Sequence, residues 1–228
     1  MNELILAVDT THEFGSLALL DGTEVVEEVL LHSPEGFGQV LFGRLAELLD
    51  RCGRKIQEMD GFAAASGPGS FTGVRIGLAC VKGLAEAAGK PVAAVSNLEA
   101  LATFGTGPLR AIVRAVVMDA RRGEVYGAVY NQRGEAILPE TVMPFTAWLR
   151  SLPEGEIEFV SMDFSPFAAA LAGTRFERAG IATAPRALAG AVGRIACLRL
   201  RAGRAADPAA IDANYVRRSD AELFWKES

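Results

Sequence analysis

Two short segments of this chain hold residue types at spacings that could do chemistry. The first is Asp9-Thr10-Thr11, which closes the apolar run of residues 4–8. A carboxylate and two hydroxyls on a tight turn can face the phosphates of a nucleotide while backbone N–H groups cradle the anion. The same residue types also cap turns through side-chain to backbone hydrogen bonds, and both uses remain open here. The second segment is SGPGSFTGVRIG, residues 66–77. A glycine-rich turn that opens a helix, with Ser70 and Thr72 as capping hydroxyls, is a fair anion site. It carries neither the closing Gly-Lys-Ser/Thr of a Walker A loop nor GxGxxG spacing. Gly69, Gly73 and Gly77 recur every four residues, as do Ala79, Gly83 and Ala87. A glycine inside a helix costs about 1 kcal/mol relative to alanine. Such tracks let a second backbone approach closely, from within the chain or from another protein.

Other chemistry finds little support. The two histidines, His12 and His32, lie 20 residues apart without HxxxH or HExxH spacing, which argues against a metallopeptidase or a catalytic metal. Ser66, Ser70 and Ser96 lack a GxSxG elbow. Cys52, Cys80 and Cys197 form no CxxC pair, so neither a disulfide framework nor a thiolate zinc site is expected, and a reducing compartment is. No catalytic residue and no metal ligand is therefore assigned. Asp119 ends an apolar run just before Arg121 and Arg122, where pairing with those arginines is the simplest use.

The elements that must position these segments follow from periodicity. Residues 4–8 and 14–20 read as paired buried strands, Asp21-Gly22 as a turn and residues 25–31 as a third strand. A helix is expected over 37–52, with Phe37, Leu41, Leu45 and Leu48 on one face and Phe42 and Leu49 beside them; so wide a face suits a deep core or a second protein. After a small-residue strand at 61–66 come a helix over 73–89, a strand at 91–95 and a helix opened by Ser96 with Glu99 at capping-box spacing. Gly105 to Pro108 is the expected domain boundary, dividing the chain into residues 1–104 and 105–228. Beyond it, strands at 111–118 and 124–130 precede helices around 145–152, 165–171 and 187–200. Strand hairpins followed by helices, twice over, give an α/β protein of two related lobes.

The net charge of −5 argues against a surface built throughout for polyanions. Yet residues 175–218 carry 9 arginines against Glu177, Asp207 and Asp212, which leaves room for a local RNA-contacting face through Arg194, Arg201 and Arg217. The first residues lack the basic flank of a signal peptide, and no apolar stretch reaches the roughly 18 residues of a membrane span. A soluble, cytoplasmic protein with no membrane partner is expected.

ILAVDTT, SGPGSFTGVRIGLACVKGLA, VSNLEALA, MDARRGEVY and NYVRR together resemble the TsaB (YeaZ) family, over residues 4 to about 217. The resemblance implies an actin-like ATPase (ASKHA) fold of two ribonuclease-H-like lobes, with mixed sheets and flanking helices. It implies a non-catalytic scaffold that activates TsaD, the transferase that makes threonylcarbamoyladenosine on tRNA, as a heterodimer and together with the ATPase TsaE. In isolation a homodimer is implied, with tRNA engaged through the complex. No cofactor is tightly bound, and ATP or ADP is expected only at the assembled complex, with Asp9, Thr10 and Thr11 as its candidate contacts here. The partner surface would come from the first two helices, through Phe37, Leu41, Leu45, Gly73, Gly77 and Val81. Phe37-Gly38 departs from the His-Ser or His-Thr of many relatives, and Ala213 replaces a usual proline. The alternative is an active small-molecule kinase or ATPase of the same fold that uses the Asp9 turn; no GGG-like second phosphate loop between residues 111 and 190 supports it.

Overall fold

Both faces of β1 (Leu4–Asp9) are covered, which is why this strand reads as an unbroken apolar run instead of an alternation. The chain, in a computed structural model, is described over residues 2–105 and 113–217. β2 (Phe14–Asp21), β3 (Glu24–His32), α1 (Leu41–Arg51), β4 (Gly61–Ala65), α2 (Phe71–Ala88), β5 (Val92–Val95) and α3 (Asn97–Ala102) follow. Then come β6 (Val113–Asp119), β7 (Glu124–Tyr130), β8 (Ala136–Pro144), α4 (Phe145–Ser151), β9 (Ile157–Ser161), β10 (Gly180–Thr183) and α5 (Ala189–Arg201).

The first sheet has the order β3-β2-β1-β4-β5; its β1–β2–β3 meander is antiparallel, and β4 and β5 add parallel to β1. Leu6, Val8, Leu17, Leu19, Phe62 and Ala64 share one core with Leu41, Leu45 and Leu48 of α1 and Val74, Leu78 and Val81 of α2. On the other face lies α5. Its buried side is small (Ala189, Gly190, Ala191, Gly193, Ala196), so the helix backbone sinks onto the sheet until a Cβ on Gly193 would collide with Leu20 and sit 3.2 Å from Ala7 Cβ. The sheet also caps this helix. Ser16 Oγ accepts from the N–H groups of Leu188 (3.0 Å) and Ala189 (2.9 Å), and Glu28 Oε1 from that of Gly190 (2.7 Å). Free N–H groups at a helix start need such acceptors, and Leu188, the residue at the cap, has none to give.

This packing corrects the expected division. The two compact units are residues 1–97 with 186–214, and 98–185 with 215–228, so α5 returns to the first unit instead of closing the second. Residues 106–108 of the expected boundary, and 111–112 of the expected strand, lie outside the described residues.

In the second unit the order is β10-β9-β6-β7-β8, again an antiparallel meander with two parallel additions. Matched strand for strand, it repeats the first sheet. Its core is aromatic: Phe145, Trp148, Phe159, Phe164, Phe167 and Phe176 pack together, and Gly127 leaves the room on β7 that the Trp148 indole fills. The helix expected at 165–171 is reduced to a 3-10 turn, Ala168–Leu171.

Because Ser16 is wholly buried and serves two N–H groups, Ser16→Ala should leave both without an acceptor. A loss of about 1–3 kcal/mol of unfolding free energy is expected, read from the urea midpoint. An unchanged midpoint would mean that α5 does not depend on the sheet for its cap.

Candidate functional site

The turn between β1 and β2 is a hydrogen-bonded knot. Asp9 Oδ1 accepts from the Thr11 N–H (2.9 Å) and hydroxyl (2.6 Å). Thr11 Oγ1 in turn accepts from Asn97 Nδ2 (2.8 Å), and Asn97 Oδ1 accepts from the Gly67 N–H (3.0 Å). Thr10 Oγ1 donates to the Gly73 carbonyl (2.7 Å), and the Ser70 N–H donates to the Thr11 carbonyl (2.7 Å). Asp9, Thr10, Thr11 and Asn97 are all buried. The three nucleotide candidates therefore meet in one place, with their hydroxyls already committed to this chain.

The glycine track is the other half of the knot. A Cβ on Gly69 or Gly73 would collide with the carbonyl of Thr11 or Thr10, and one on Gly77 would sit 2.7 Å from Thr10 Oγ1. The backbone that the track admits so closely is thus the chain's own turn. Ser70 caps α2 as its residue type suggests, accepting from the Gly73 N–H at 3.3 Å.

This geometry corrects the expected partner-binding residues. Phe37, Leu41, Leu45, Gly73, Gly77 and Val81 are all buried and form the inner faces of the two helical segments. Phe37 fills the space beside Gly15; a Cβ there would fall 2.9 Å from its ring. What faces outward is different: Phe42 on α1 is 60% exposed and Phe71 on α2 is 43% exposed, with the Arg75 guanidinium 3.7 Å above the Phe71 ring centre.

Each of the expected RNA contacts has a partner within the chain. Arg201 pairs with Glu3 (2.7 Å), which holds the Glu3 carboxyl below its usual range, and Arg194 donates to the Thr23 carbonyl (3.2 Å). In the second unit Arg217 donates to the Ala120 carbonyl (2.8 Å), pairs with Glu124 and lies 5.6 Å from the Tyr126 ring centre. Asp119 does pair with Arg121, accepting from its N–H at 2.8 Å with the guanidinium at 3.6 Å. Ala213 packs against the first core, and the next N–H, that of Asn214, donates to the Ser66 carbonyl (2.8 Å).

Thiol and metal chemistry gain nothing from the geometry. Burial pushes the Cys80 thiol up to about 11. Among the described residues no group of three or more His, Cys, Asp or Glu is placed to hold a metal ion. No helix among them is long and apolar enough to cross a membrane.

A doubled meander-plus-parallel sheet with helices on its faces is the architecture of the actin-like ATPase fold. Component A of (R)-2-hydroxyglutaryl-CoA dehydratase from Acidaminococcus fermentans shares it at a TM-score of 0.53 and 12% identity, over 88% of this chain and 100% of that one. The structure of YeaZ from Pseudomonas aeruginosa matches with a TM-score of 0.75 and 27% identity, over 93% of this chain and 99% of that chain. The family model "TsaD: tRNA N6-adenosine threonylcarbamoyltransferase" matches residues 37–213. The Bacillus subtilis (strain 168) tRNA threonylcarbamoyladenosine biosynthesis protein TsaB is 31% identical over 233 residues, covering 98% of both chains. Its Escherichia coli (strain K12) counterpart is 39% identical over 129 residues, 56% of this chain and 55% of that one. The chain belongs to the TsaB family of tRNA threonylcarbamoyladenosine biosynthesis proteins.

One titration tests the knot. Asp9 Oδ2 and His12 Nε2 are buried without a hydrogen-bond partner; burial lowers the His12 pKa, and the nearby Asp9 charge only partly opposes this. A histidine held neutral by the fold contributes stability that is complete above its unfolded pKa of about 6.5 and is lost as pH falls below it. Urea midpoints should therefore decline between about pH 6.5 and 5 in the native chain and decline less in His12→Gln. Equal slopes in the two proteins would contradict the assignment.

Proposed function

We propose that this chain is the non-catalytic subunit of the tRNA threonylcarbamoyladenosine machinery, docking the TsaD transferase through the outward faces of α1 and α2. The observation that carries the reading is a pair of large aromatic side chains with exposed surface, Phe42 and the Arg75-covered Phe71, on two helices that share one side of the first sheet. Exposed aromatics are the residue type from which interface hot spots are made. The start of the α1 segment lies beside α2: a Cβ on Gly38 would sit 4.0 Å from Ile76 Cδ1. In the absence of TsaD the same face pairs two copies of this chain. TsaE joins the assembled complex, nucleotide is bound there, and the setting is the cytoplasm.

The Asp9 turn supports this reading over a kinase or ATPase. A phosphate turn needs hydroxyls and N–H groups that face a ligand, whereas the Thr10 and Thr11 hydroxyls here donate to Gly73 and Asp9. The knot instead holds the first turn of α2, and with it Phe71, at a fixed place. His12, ahead of β2, and His32, at the close of β3, lie at the same end of the antiparallel β2–β3 ladder, where His32 pairs with Phe14 and stacks on its ring.

Co-purification with the TsaD of the same organism, followed by modification of unmodified tRNA in the presence of TsaE, tests it. Phe42→Arg and Phe71→Arg should each weaken the complex by at least about 10-fold while leaving the circular dichroism of the chain unchanged. Gly77→Arg is unsuitable as an interface probe, because its side chain would strike Thr10 within the fold. Full complex formation by both arginine variants, or ATP turnover by the chain alone, would overturn the reading.

A further inference from the structure

α4 turns Phe145, Trp148 and Leu149 into the aromatic core, which leaves Thr146 and Arg150, one helical turn apart, exposed on its other side. The segment that follows the 3-10 turn comes back beside this helix. Thr146, Leu149 and Arg150 from α4, with Ala170, Arg175 and Phe176 from that segment, line a cavity of about 280 Å³ within the second unit. Leu149 and Phe176 are buried and give it an apolar floor. Its two arginines are in different states. Arg175 is fixed: its guanidinium donates to Glu154 (3.0 Å) and to the carbonyls of Leu152 (2.7 Å) and Pro153 (2.9 Å), and lies 4.3 Å from the Phe176 ring centre. One face of that plane is spent on Phe176, and the other is what remains for a ligand. Arg150 has neither a hydrogen bond nor an ion pair among the described residues, and the Thr146 hydroxyl has no partner among them. The carboxylates beside the cavity are taken, Glu154 by Arg175 and Glu177 by the Gly173 N–H (3.4 Å).

We propose that this cavity is a binding site for a single nucleotide, with the base stacked on the fixed Arg175 plane, the phosphate on Arg150 and the Thr146 hydroxyl at the polar edge. Nucleobases stack on guanidinium planes as they do on aromatic rings, and a plane already held by three acceptors loses little freedom when it is used. An unspent guanidinium meets phosphate oxygens with paired N–H donors. The volume is at the small end for ligand sites, which suits one ring system and not an extended segment. An unpaired nucleotide of tRNA and a free nucleotide share this chemistry. The choice of a nucleotide over another flat anion rests on the tRNA-modification reading above.

The test titrates the full-length chain, without TsaD, with a fluorescent single-stranded oligoribonucleotide across a salt series and, separately, with AMP. Arg150→Gln should weaken binding roughly 10-fold and take about 0.7 from the slope of log K against log salt for the oligonucleotide, while the urea midpoint stays where it is. Arg150→Lys should restore most of the slope and part of the affinity. Ala170→Phe fills the cavity without touching either arginine; with circular dichroism unchanged, it should weaken binding at least as much. AMP binding that these variants weaken would assign the site to a free nucleotide, and oligonucleotide binding that they weaken and AMP does not displace would assign it to RNA; either supports the proposal. Binding of neither probe, or binding that Arg150→Gln and Ala170→Phe leave unchanged, would overturn it. Because TsaD is left out, TsaD binding by the Phe42 and Phe71 variants would sink the docking reading alone, and indifference to Arg150→Gln and Ala170→Phe would sink the cavity alone.

Discussion

Thr10 and Thr11 lie against the backbone of α2 with nothing between them, and only glycine at 69, 73 and 77 permits that distance. Most of the first unit depends on this approach. The turn carbonyls touch the helix, the Thr10 hydroxyl bonds its first turn, and Asn97 reaches from the start of α3 to join the Thr11 hydroxyl and the Gly67 backbone. Three chain segments far apart in sequence are thus fixed by one set of short, directional bonds. Because these groups are buried, each bond lost would leave a polar atom without water, so the arrangement resists piecemeal loosening. The helix positioned in this way is the one that carries Phe71 and Arg75 outward.

Much of this was legible in the residues. The unbroken apolar run of residues 4–8, the Asp21-Gly22 turn and the expected restart at residues 111–118 gave the doubled topology, because strand alternation and turn chemistry are local properties. The four-residue glycine spacing announced close packing, although not what would fill it. The outward face of the helices was not legible: Phe42 sits beside Leu41 in sequence, and a wide apolar face does not say which edge meets solvent until the sheet is placed beneath it. Nor could spacing show that α5 crosses back to β1 and β2. That pairing depends on Ser16 and Glu28 offering acceptors to N–H groups more than 160 residues away. β8, largely unburied and interrupted by Pro139, carries no strand signature of its own; it is set by pairing with β7.

The arginines divide along the same line between local and distant cause. A cluster of positive charge in a linear stretch suggested one basic face, but most of its members serve the fold: Arg201 holds Glu3, Arg175 ties Glu154 to the carbonyls of Leu152 and Pro153, and Arg217 braces a hairpin. Charge composition therefore overstated the surface available to a polyanion. Where cause is local the reading held: Asp119 pairs with Arg121 two residues on, at the tip of the β6–β7 hairpin.

The most direct measurement of the central claim is hydrogen–deuterium exchange of the chain with and without the TsaD transferase of the same organism. Docking through α1 and α2 predicts slowed exchange confined mainly to peptides covering residues 37–51 and 71–88, with β8 and α4 unchanged. Protection centred on the second unit, or none at concentrations where the two proteins co-elute, would contradict it.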